Sequence, residues 1–172
     1  MKKNNIYLWT GEGAGKTTSA LGVALRAVGH RQKVVVVQFM KGRKDIGEYK
    51  IMQKLKPYYN VYQFGSPNFI RPINKPSKKD KEIAAKGIAF AREIAKKKPR
   101  LLILDEINLA CAIGLVKTKE VVELAKHCSN YTIVYLTGRK APAGLRKAAD
   151  FVNEIKLIKA PKKYPVRKGI EW

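Results

Sequence analysis

Short apolar runs alternate with longer amphipathic stretches along this chain. The alternation predicts strands at residues 6–10, 33–39, 60–64, 101–105, 131–137 and 152–157. It also predicts helices at residues 15–28, 78–98, 118–128 and 142–149. Elements in this order are typical of a mostly parallel central sheet of about six strands flanked by helices. The pattern therefore predicts an α/β fold.

Two of the predicted strands are apolar at every position. Residues 34–37 are all valine, and residues 101–104 read Leu-Leu-Ile-Leu. A strand with apolar side chains on both faces is buried on both faces. We therefore expect these two strands at the centre of the sheet.

The stretch at residues 65–76 contains three prolines, with Phe69 among them. Proline removes a backbone donor and fixes φ, so this stretch is expected to be neither helix nor central strand. A long loop that joins core elements is a candidate for function. Ser77 and Asp80 after it resemble a capping box at the start of a helix.

The bulk composition, 45% hydrophobic and 28% charged over 172 residues, predicts a single domain spanning residues 1–172. The apolar run at residues 6–9 is too short for a signal segment or a membrane span, so we expect a cytoplasmic protein. Cys111 and Cys128 are too few for a disulfide framework or a tetrahedral metal site. Both are expected to be reduced and structural.

The net charge is +23, from 36 Lys and Arg against 13 Asp and Glu. Such an excess attracts phosphates, nucleic acid or acidic proteins. A lysine-rich or heat-adapted surface explains it equally well. The charge is spread over many segments and no RNA-binding aromatic motif accompanies it, which disfavours nucleic acid as the partner.

A glycine-rich segment lies between the first predicted strand and the first predicted helix, which is the context of a phosphate-binding loop. Glycines let successive N–H groups turn toward phosphate oxygens, and the helix N-terminus adds a positive end. The match to G-x-x-x-x-G-K-[ST] is imperfect, because the first position is threonine. The predicted nucleotide-binding residues of the loop are Thr10, Gly11, Glu12, Gly13, Ala14, Gly15, Lys16, Thr17 and Thr18.

Two residues of this loop are the predicted catalytic groups. Lys16 is placed to reach between the outer phosphates, and Thr17 offers a hydroxyl to Mg²⁺ or Mn²⁺. Asp105 and Glu106 follow a buried strand, where an acidic residue would face the same metal ion. The sequence therefore predicts a metal site formed by Thr17, Asp105 and Glu106. Because both strands must serve it, we also expect strand 101–105 to lie beside strand 6–10.

These motifs predict a bound triphosphate, most simply ATP, but they do not specify the bond that breaks. A small-molecule kinase and a RecA-like nucleic-acid-dependent ATPase both remain open. His30 and His127 lie near predicted helix ends and are better interpreted as partners of the helix dipole than as catalytic groups.

The sequence also resembles a known family along nearly its whole length: the P-loop ATP:corrinoid adenosyltransferases, or cob(I)alamin adenosyltransferases of the CobA/CobO/BtuR type. The resemblance rests on six ordered motifs: TGEGAGKTT at 10–18, VQFMKG at 37–42 with GE at 47–48, LDEIN at 104–108, LTGRKAP at 136–142, ADFVNE at 149–154 and GIEW at 169–172.

The resemblance implies a RecA-like P-loop fold and a homodimer that transfers the 5′-adenosyl group of ATP to a Co(I) corrinoid and releases triphosphate. It implies a nucleotide reversed in the loop, so that C5′ faces the cobalt. Lys41 and Arg139 are then predicted to bind the nucleotide, with plain surface residues as the alternative. Phe69 is predicted to approach the corrinoid, with a packing role as the alternative. The charge suggests an acidic flavoprotein as the reductant.

The chain departs from the family pattern at several places. Glu12 and Ala14 replace the usual Asn and Lys of the loop, which removes one positive charge and adds one negative charge. Many members carry an N-terminal arm before the first strand, whereas the first strand begins here almost at once. Residues 159–169 are shorter than the usual family ending and lack its histidine and one glycine.

Overall fold

A computed structural model describes residues 4–66, 76–163 and 165–170 of the chain. Six strands form one sheet in which every pairing is parallel, in the order β3-β2-β4-β5-β1-β6. The α/β fold and the mostly parallel sheet of about six strands are confirmed. The strands are β1 (Ile6–Thr10), β2 (Val34–Phe39), β3 (Tyr59–Phe64), β4 (Leu101–Asp105), β5 (Ile133–Thr137) and β6 (Phe151–Glu154).

Helices cover both faces of this sheet. The described residues contain α1 (Lys16–Gly29), α2 (Gly47–Lys50), α3 (Met52–Leu55), α4 (Lys78–Lys96), α5 (Ile107–Ala112), α6 (Thr118–Cys128) and α7 (Ala143–Ala148). The four predicted helices are present with ends shifted by at most two residues. The pattern missed α2, α3 and α5, because helices of four to six residues are too short to show a helical period.

The side chains of β2 explain why four valines follow one another. Val35 and Val37 pack into a core with α4, α5, α6 and α7, whereas Val34 and Val36 pack into a second core with α1 and α3. Successive strand residues point to opposite faces, so a strand covered on both sides needs an apolar residue at every position. The predicted central position of β2 and β4 is confirmed.

The predicted contact between β4 and β1 is wrong. The neighbours of β4 are β2 and β5, and β5 lies between β4 and β1. In a parallel sheet every strand ends at the same edge, so two strands can serve one site without touching. We call the side at which the strands end the carboxyl edge, and the side at which they begin the amino edge.

The start of α4 has the predicted capping box. The Ser77 hydroxyl accepts a hydrogen bond from the Asp80 N–H, and the Asp80 carboxylate accepts one from the Ser77 N–H. Phe69, the predicted corrinoid contact, lies outside the described residues. Cys111 and Cys128 are free and buried, as expected. Among the helices described, none has the length and apolar character needed to cross a membrane.

Candidate active site

The loop at residues 11–15 connects β1 to α1 at the carboxyl edge. Gly11 and Gly15 have φ of 103° and 106°, a region that other residues adopt only with strain. Gly15 is also the N-cap of α1, so no side chain caps this helix, and its first turn contains no acidic residue. The first N–H groups of a helix lack partners within the helix. The N-terminus of α1 therefore offers free donors and a positive dipole end to an anion.

The loop packs against the backbone that follows β6. The N–H of Ile155 donates to the Thr10 carbonyl over 2.8 Å, and the N–H of Gly13 donates to the Ile155 carbonyl over 2.9 Å. A Cβ at Gly11 would overlap that same carbonyl oxygen, and one at Gly13 would lie 2.8 Å from the Ile155 side chain. Ile155 was not predicted, since nothing in a local pattern marks a residue so distant in sequence.

Lys16 is buried and lies within the loop. Its ammonium donates to the carbonyl oxygen of Gly13. Burial lowers the pKa of Lys16, and the Arg139 charge lowers it further, while Glu106 and Glu12 act in the opposite direction. The site therefore places a partly desolvated cation beside the free donors of α1.

Asp105 is fully buried at the end of β4 and accepts four hydrogen bonds. Burial alone would raise the pKa of this carboxyl, but the Lys41 ammonium and the bonded hydroxyls hold it below its ordinary value. The carboxylate is therefore ionised. Oδ1 accepts from Thr17 at 2.8 Å and Thr137 at 2.6 Å, and Oδ2 accepts from Gln38 at 3.0 Å and Lys41 at 2.8 Å.

Lys41 lies just after β2 and is the positive partner of this carboxylate. Burial alone would lower the pKa of Lys41, but Asp105 raises it, with a smaller contribution from Glu48 at 3.8 Å. The ammonium is therefore charged. In the structure Lys41 contacts the Asp105 carboxylate, and its role in nucleotide binding stays a prediction.

A row of polar side chains continues from Asp105 along the carboxyl edge. Gln38 donates to Asp105 and, over 3.2 Å, to Glu48, while its own carbonyl oxygen accepts from Gln63 at 3.0 Å. Gln63, Gln38 and Asp105 are register partners on β3, β2 and β4. The row was not predicted as a site, because register across strands cannot be read from one chain segment.

Glu106 differs from its neighbour. Its backbone has φ of 62°, and its N–H donates to the Thr137 hydroxyl over 3.1 Å. Burial and then the charge of Asp105 raise the pKa of its carboxyl. In the described part of the chain this carboxylate has no hydrogen bond, whereas Asp105 contacts Thr17 directly. Asp105 therefore contacts the loop at Thr17, whereas the charge of Glu106 acts on Lys16.

Oxygen atoms of Thr17 and Asp105 form a donor set that suits a magnesium ion. A hydroxyl and a carboxylate are hard oxygen ligands, and Mg²⁺ keeps several waters beside one or two protein ligands. No cluster of three His, Cys, Asp or Glu side chains occurs in the residues described. The residues present fit an ion held partly by water and substrate.

Arg139 follows β5 and reaches the loop. Its guanidinium lies 3.3 Å from the Glu12 carboxylate, and both side chains are more than half exposed. Glu12, the acidic departure in the loop, therefore has a positive partner above the phosphate-binding segment. The role of Arg139 in nucleotide binding stays a prediction.

Asn108 connects the strands beneath the site. Its side-chain amide donates to the carbonyls of Trp9 and Gly138, over 3.0 and 3.1 Å, and so joins α5 to the ends of β1 and β5. Gly138 has φ of 128°, and a Cβ there would lie 3.2 Å from the Asn108 side chain. Thr10 accepts from the Ala141 N–H over 3.2 Å. These motif residues therefore hold the backbone of the site.

A family model matches residues 2–172 of this chain, and its description is ATP:corrinoid adenosyltransferase BtuR/CobO/CobP. The chain belongs to this family. Relatives agree with the assignment: a corrinoid adenosyltransferase of Sinorhizobium is 33% identical, and the match covers 99% of this chain and 78% of the relative. One from Pseudomonas aeruginosa is 32% identical, with 97% and 83% covered. One from Escherichia coli K12 is 32% identical, with 90% and 77% covered.

A solved structure with low sequence identity to this chain has a similar fold. The crystal structure of the flagellar accessory protein FlaH from Methanocaldococcus jannaschii aligns with a TM-score of 0.59 and 13% identity, covering 95% of this chain and 76% of that chain. At this identity the likeness concerns the fold alone. It agrees with the α/β fold, in which helices flank a parallel sheet.

Proposed function

We propose that this chain transfers the 5′-adenosyl group of ATP to the Co(I) of a corrinoid and releases triphosphate. Family membership over nearly the whole chain supports this proposal. The observation that carries the proposal is the contact of the Thr17 hydroxyl with Asp105, because it joins the phosphate loop to the acidic strand end. Cobalt is the nucleophile in this reaction, so the chain needs to supply none.

The chain's own task is to hold the triphosphate as one leaving group. The free N–H groups at the start of α1 and the Lys16 ammonium face the place where its negative charge increases. Donors fixed in advance stabilise developing charge at little cost of rearrangement. The Lys16 ammonium donates to the Gly13 carbonyl, and a bound phosphate would offer it a stronger acceptor.

We further propose that Thr17 and Asp105 hold Mg²⁺ or Mn²⁺, with Glu106 contributing through water. When bound, the ion would neutralise charge on the triphosphate. The Lys41 ammonium already contacts Oδ2 of Asp105, while Thr17 contacts Oδ1. Lys41 would thus keep the carboxylate ionised and oriented toward Thr17. Arg139 would contact the nucleotide from the outer side of the loop.

Three broader parts of the proposal concern the cellular setting. We propose a homodimer, as the family resemblance implies. We propose the cytoplasm as its location, and the two free cysteines suit a reducing compartment. We propose an acidic flavoprotein as electron donor, since the charge of +23 would speed its encounter. Cobalt reduction by that donor should slow steeply with added salt, and a rate independent of salt would contradict the last part.

The test of the reaction uses the purified chain with magnesium, ATP and chemically reduced corrinoid. We expect a new cobalt–carbon bond, which is detected by its light-sensitive absorption spectrum. We also expect an equal amount of triphosphate, which is measured by ion-exchange chromatography. Omission of the corrinoid should leave ATP intact. Formation of ADP with a phosphorylated acceptor, or of ADP and phosphate on addition of nucleic acid, would contradict adenosyl transfer.

A further inference from the structure

A second cavity lies at the amino edge of the sheet, opposite the phosphate loop. Its volume is about 280 Å³, and it is bounded by the carboxyl end of α1 and by the first residues of β1, β4 and β5. Small-molecule sites begin at about this size. Neither the family assignment nor the proposed reaction uses this part of the molecule. We call it the amino-edge cavity.

The side chains around the amino-edge cavity are rich in hydrogen-bond donors. The residues that line it include two guanidinium groups, one imidazole and two phenols, and no carboxylate. Arginine and tyrosine donate readily to phosphate oxygens, and arginine does so with two parallel bonds. The residues with donor groups are Tyr7, Arg26, His30, Gln32, Arg100 and Tyr135.

The hydroxyl of Tyr135 distinguishes this cavity from an ordinary basic surface. The residue is only 6% exposed, yet its hydroxyl has no hydrogen bond to any residue in the described ranges. The hydroxyl is not sealed within protein, because the cavity reaches it. A polar group without a protein partner that faces an open cavity is free to donate to water or to a ligand there.

The protonation of Tyr135 suits a donor. Burial raises the pKa of its hydroxyl, as does Tyr7 beside it, while Arg26 acts in the opposite direction. The hydroxyl therefore keeps its proton at neutral pH. The rings of Tyr7 and Tyr135 stack on each other at 4.8 Å, which fixes the two hydroxyls side by side.

The cations at the cavity are not neutralised by the protein. Across residues 4–66, 76–163 and 165–170, no carboxylate forms an ion pair with Arg26 or Arg100. The negative end of the α1 dipole faces the same edge, but its carbonyls at Ala27 and Val28 already accept N–H groups of the following turn. A helix end carries about half a charge, which two guanidinium groups exceed.

We propose that the amino-edge cavity binds a small phosphate-class oxyanion, either free phosphate or a phosphate ester with a compact organic group. Arg26 and Arg100 supply the charge, and the hydroxyls of Tyr7 and Tyr135 donate to the oxygens. The site is separate from the phosphate loop, because α1 carries Lys16 at one end and Arg26 in its last turn. Tyr7 and Thr10 are three positions apart on β1, roughly 10 Å of strand.

The test titrates inorganic phosphate, and separately phenyl phosphate, into the ¹⁵N-labelled chain at constant ionic strength. Amide shifts of Tyr7, Arg26 and Tyr135 report the cavity, and those of residues 11–18 report the loop. We expect saturable shifts at both places, with those at the cavity retained in Lys16→Ala. Tighter binding of phenyl phosphate would identify an ester as the ligand class, and equal binding would identify free phosphate.

Variants separate a built site from general attraction. Arg26→Gln with Arg100→Gln should weaken binding at the cavity on the order of tenfold or more. The charge-matched control, Lys81→Gln with Lys86→Gln on the exposed face of α4, should leave it unchanged. Tyr135→Phe removes no hydrogen bond within the described protein, so it should preserve folding and still weaken binding about threefold or more.

Three results would overturn the proposal. Shifts confined to residues 11–18 would show that the loop alone binds phosphate. Equal affinity at the cavity in all variants would show nonspecific attraction. Amide chemical shifts at the cavity that change with protein concentration but not with phosphate concentration would show that a second copy of the chain covers this edge.

Discussion

The hydroxyl of Thr17 lies 2.8 Å from Oδ1 of Asp105, although 88 residues separate them in sequence. The same carboxylate contacts Lys41 through its other oxygen, so one buried charge links the phosphate loop, β4 and the turn after β2. Because Asp105 is fully buried and Lys41 is mostly covered, neither charge has full access to water. The energetics of the site depend on this pair.

Removal of the Asp105 charge should therefore destabilise the fold. Asp105→Asn leaves the Lys41 ammonium with only the more distant Glu48 as a counter-charge, and loss of one partner of a buried pair costs about 3 kcal/mol. Addition of Lys41→Met should recover part of the loss. Urea unfolding of the single and double variants measures both effects.

The exposed pair between Arg43 and Asp45 gives the matched control. Asp45→Asn should change the unfolding midpoint little, because exposed pairs contribute little. A loss in Asp105→Asn no larger than in this control would contradict a role for the buried pair.

The contribution of Glu106 to stability should depend on pH in the opposite direction to that of Asp105. Because burial and Asp105 raise the pKa of its carboxyl, the folded state holds this proton more tightly than the unfolded chain does. Its contribution to the free energy of unfolding therefore falls as pH rises from the ordinary glutamate value through the raised value. Glu106→Gln should then increase stability at neutral pH and lower activity.

Thermal unfolding of Glu106→Gln in a chelator, from pH 4 to pH 8, measures this effect. Asp105 has a lowered pKa, so its own contribution is lost only as pH falls below the ordinary aspartate range. If the stability of the wild type and of Glu106→Gln depends on pH in the same way, the predicted effect of the Glu106 carboxyl on stability is wrong.

Gly13 should tolerate no side chain. A Cβ there would press on Ile155, so Gly13→Ala must displace the chain after β6 or distort the loop. Overpacking of this kind costs roughly 1–3 kcal/mol, and ATP affinity should fall with it. Gly22→Ala is the control: its Cβ meets open space on α1, and alanine there should stabilise by about 0.5–1 kcal/mol. Chemical unfolding and ATP titration compare the two; equal effects would exclude the Ile155 contact as the cause.

Lys16→Ala should separate activity from stability. The adenosyl transfer rate should fall on the order of a hundredfold or more, since the lost charge acts on the departing triphosphate. The fold should be no less stable, because burial lowers the pKa of Lys16 and disfavours its charged form in the free protein. The corrinoid should still bind. Single-turnover kinetics and urea unfolding test both parts, and an unfolded variant would refute the second.

Local patterns predicted the elements of this site better than their arrangement. The loop and the end of β4 follow from short motifs, because spacing along the chain decides whether a glycine-rich turn precedes a helix. The neighbours of β4 do not follow, since the place of β5 in the sheet depends on pairing between distant segments. Gln63 and Ile155 were not predicted for the same reason, since each acts through register or through a contact across the fold. Gln38 belongs to a recognised motif, but its contacts with Gln63 and Asp105 were not predicted.

The position of β1 has a consequence for the order in which the molecule is completed during synthesis. β1 pairs only with β5 and β6, and Gly13 is fixed by the carbonyl of Ile155. The loop follows β1 directly, whereas β5 and β6, which hold β1 and the loop in place, come much later in the sequence. A nascent chain that has reached β4 already carries Asp105 but no ordered place for the loop beside it, so contacts of long sequence separation must precede nucleotide capture. We therefore expect the loop to become ordered for nucleotide binding only after β5 and β6 have docked beside β1.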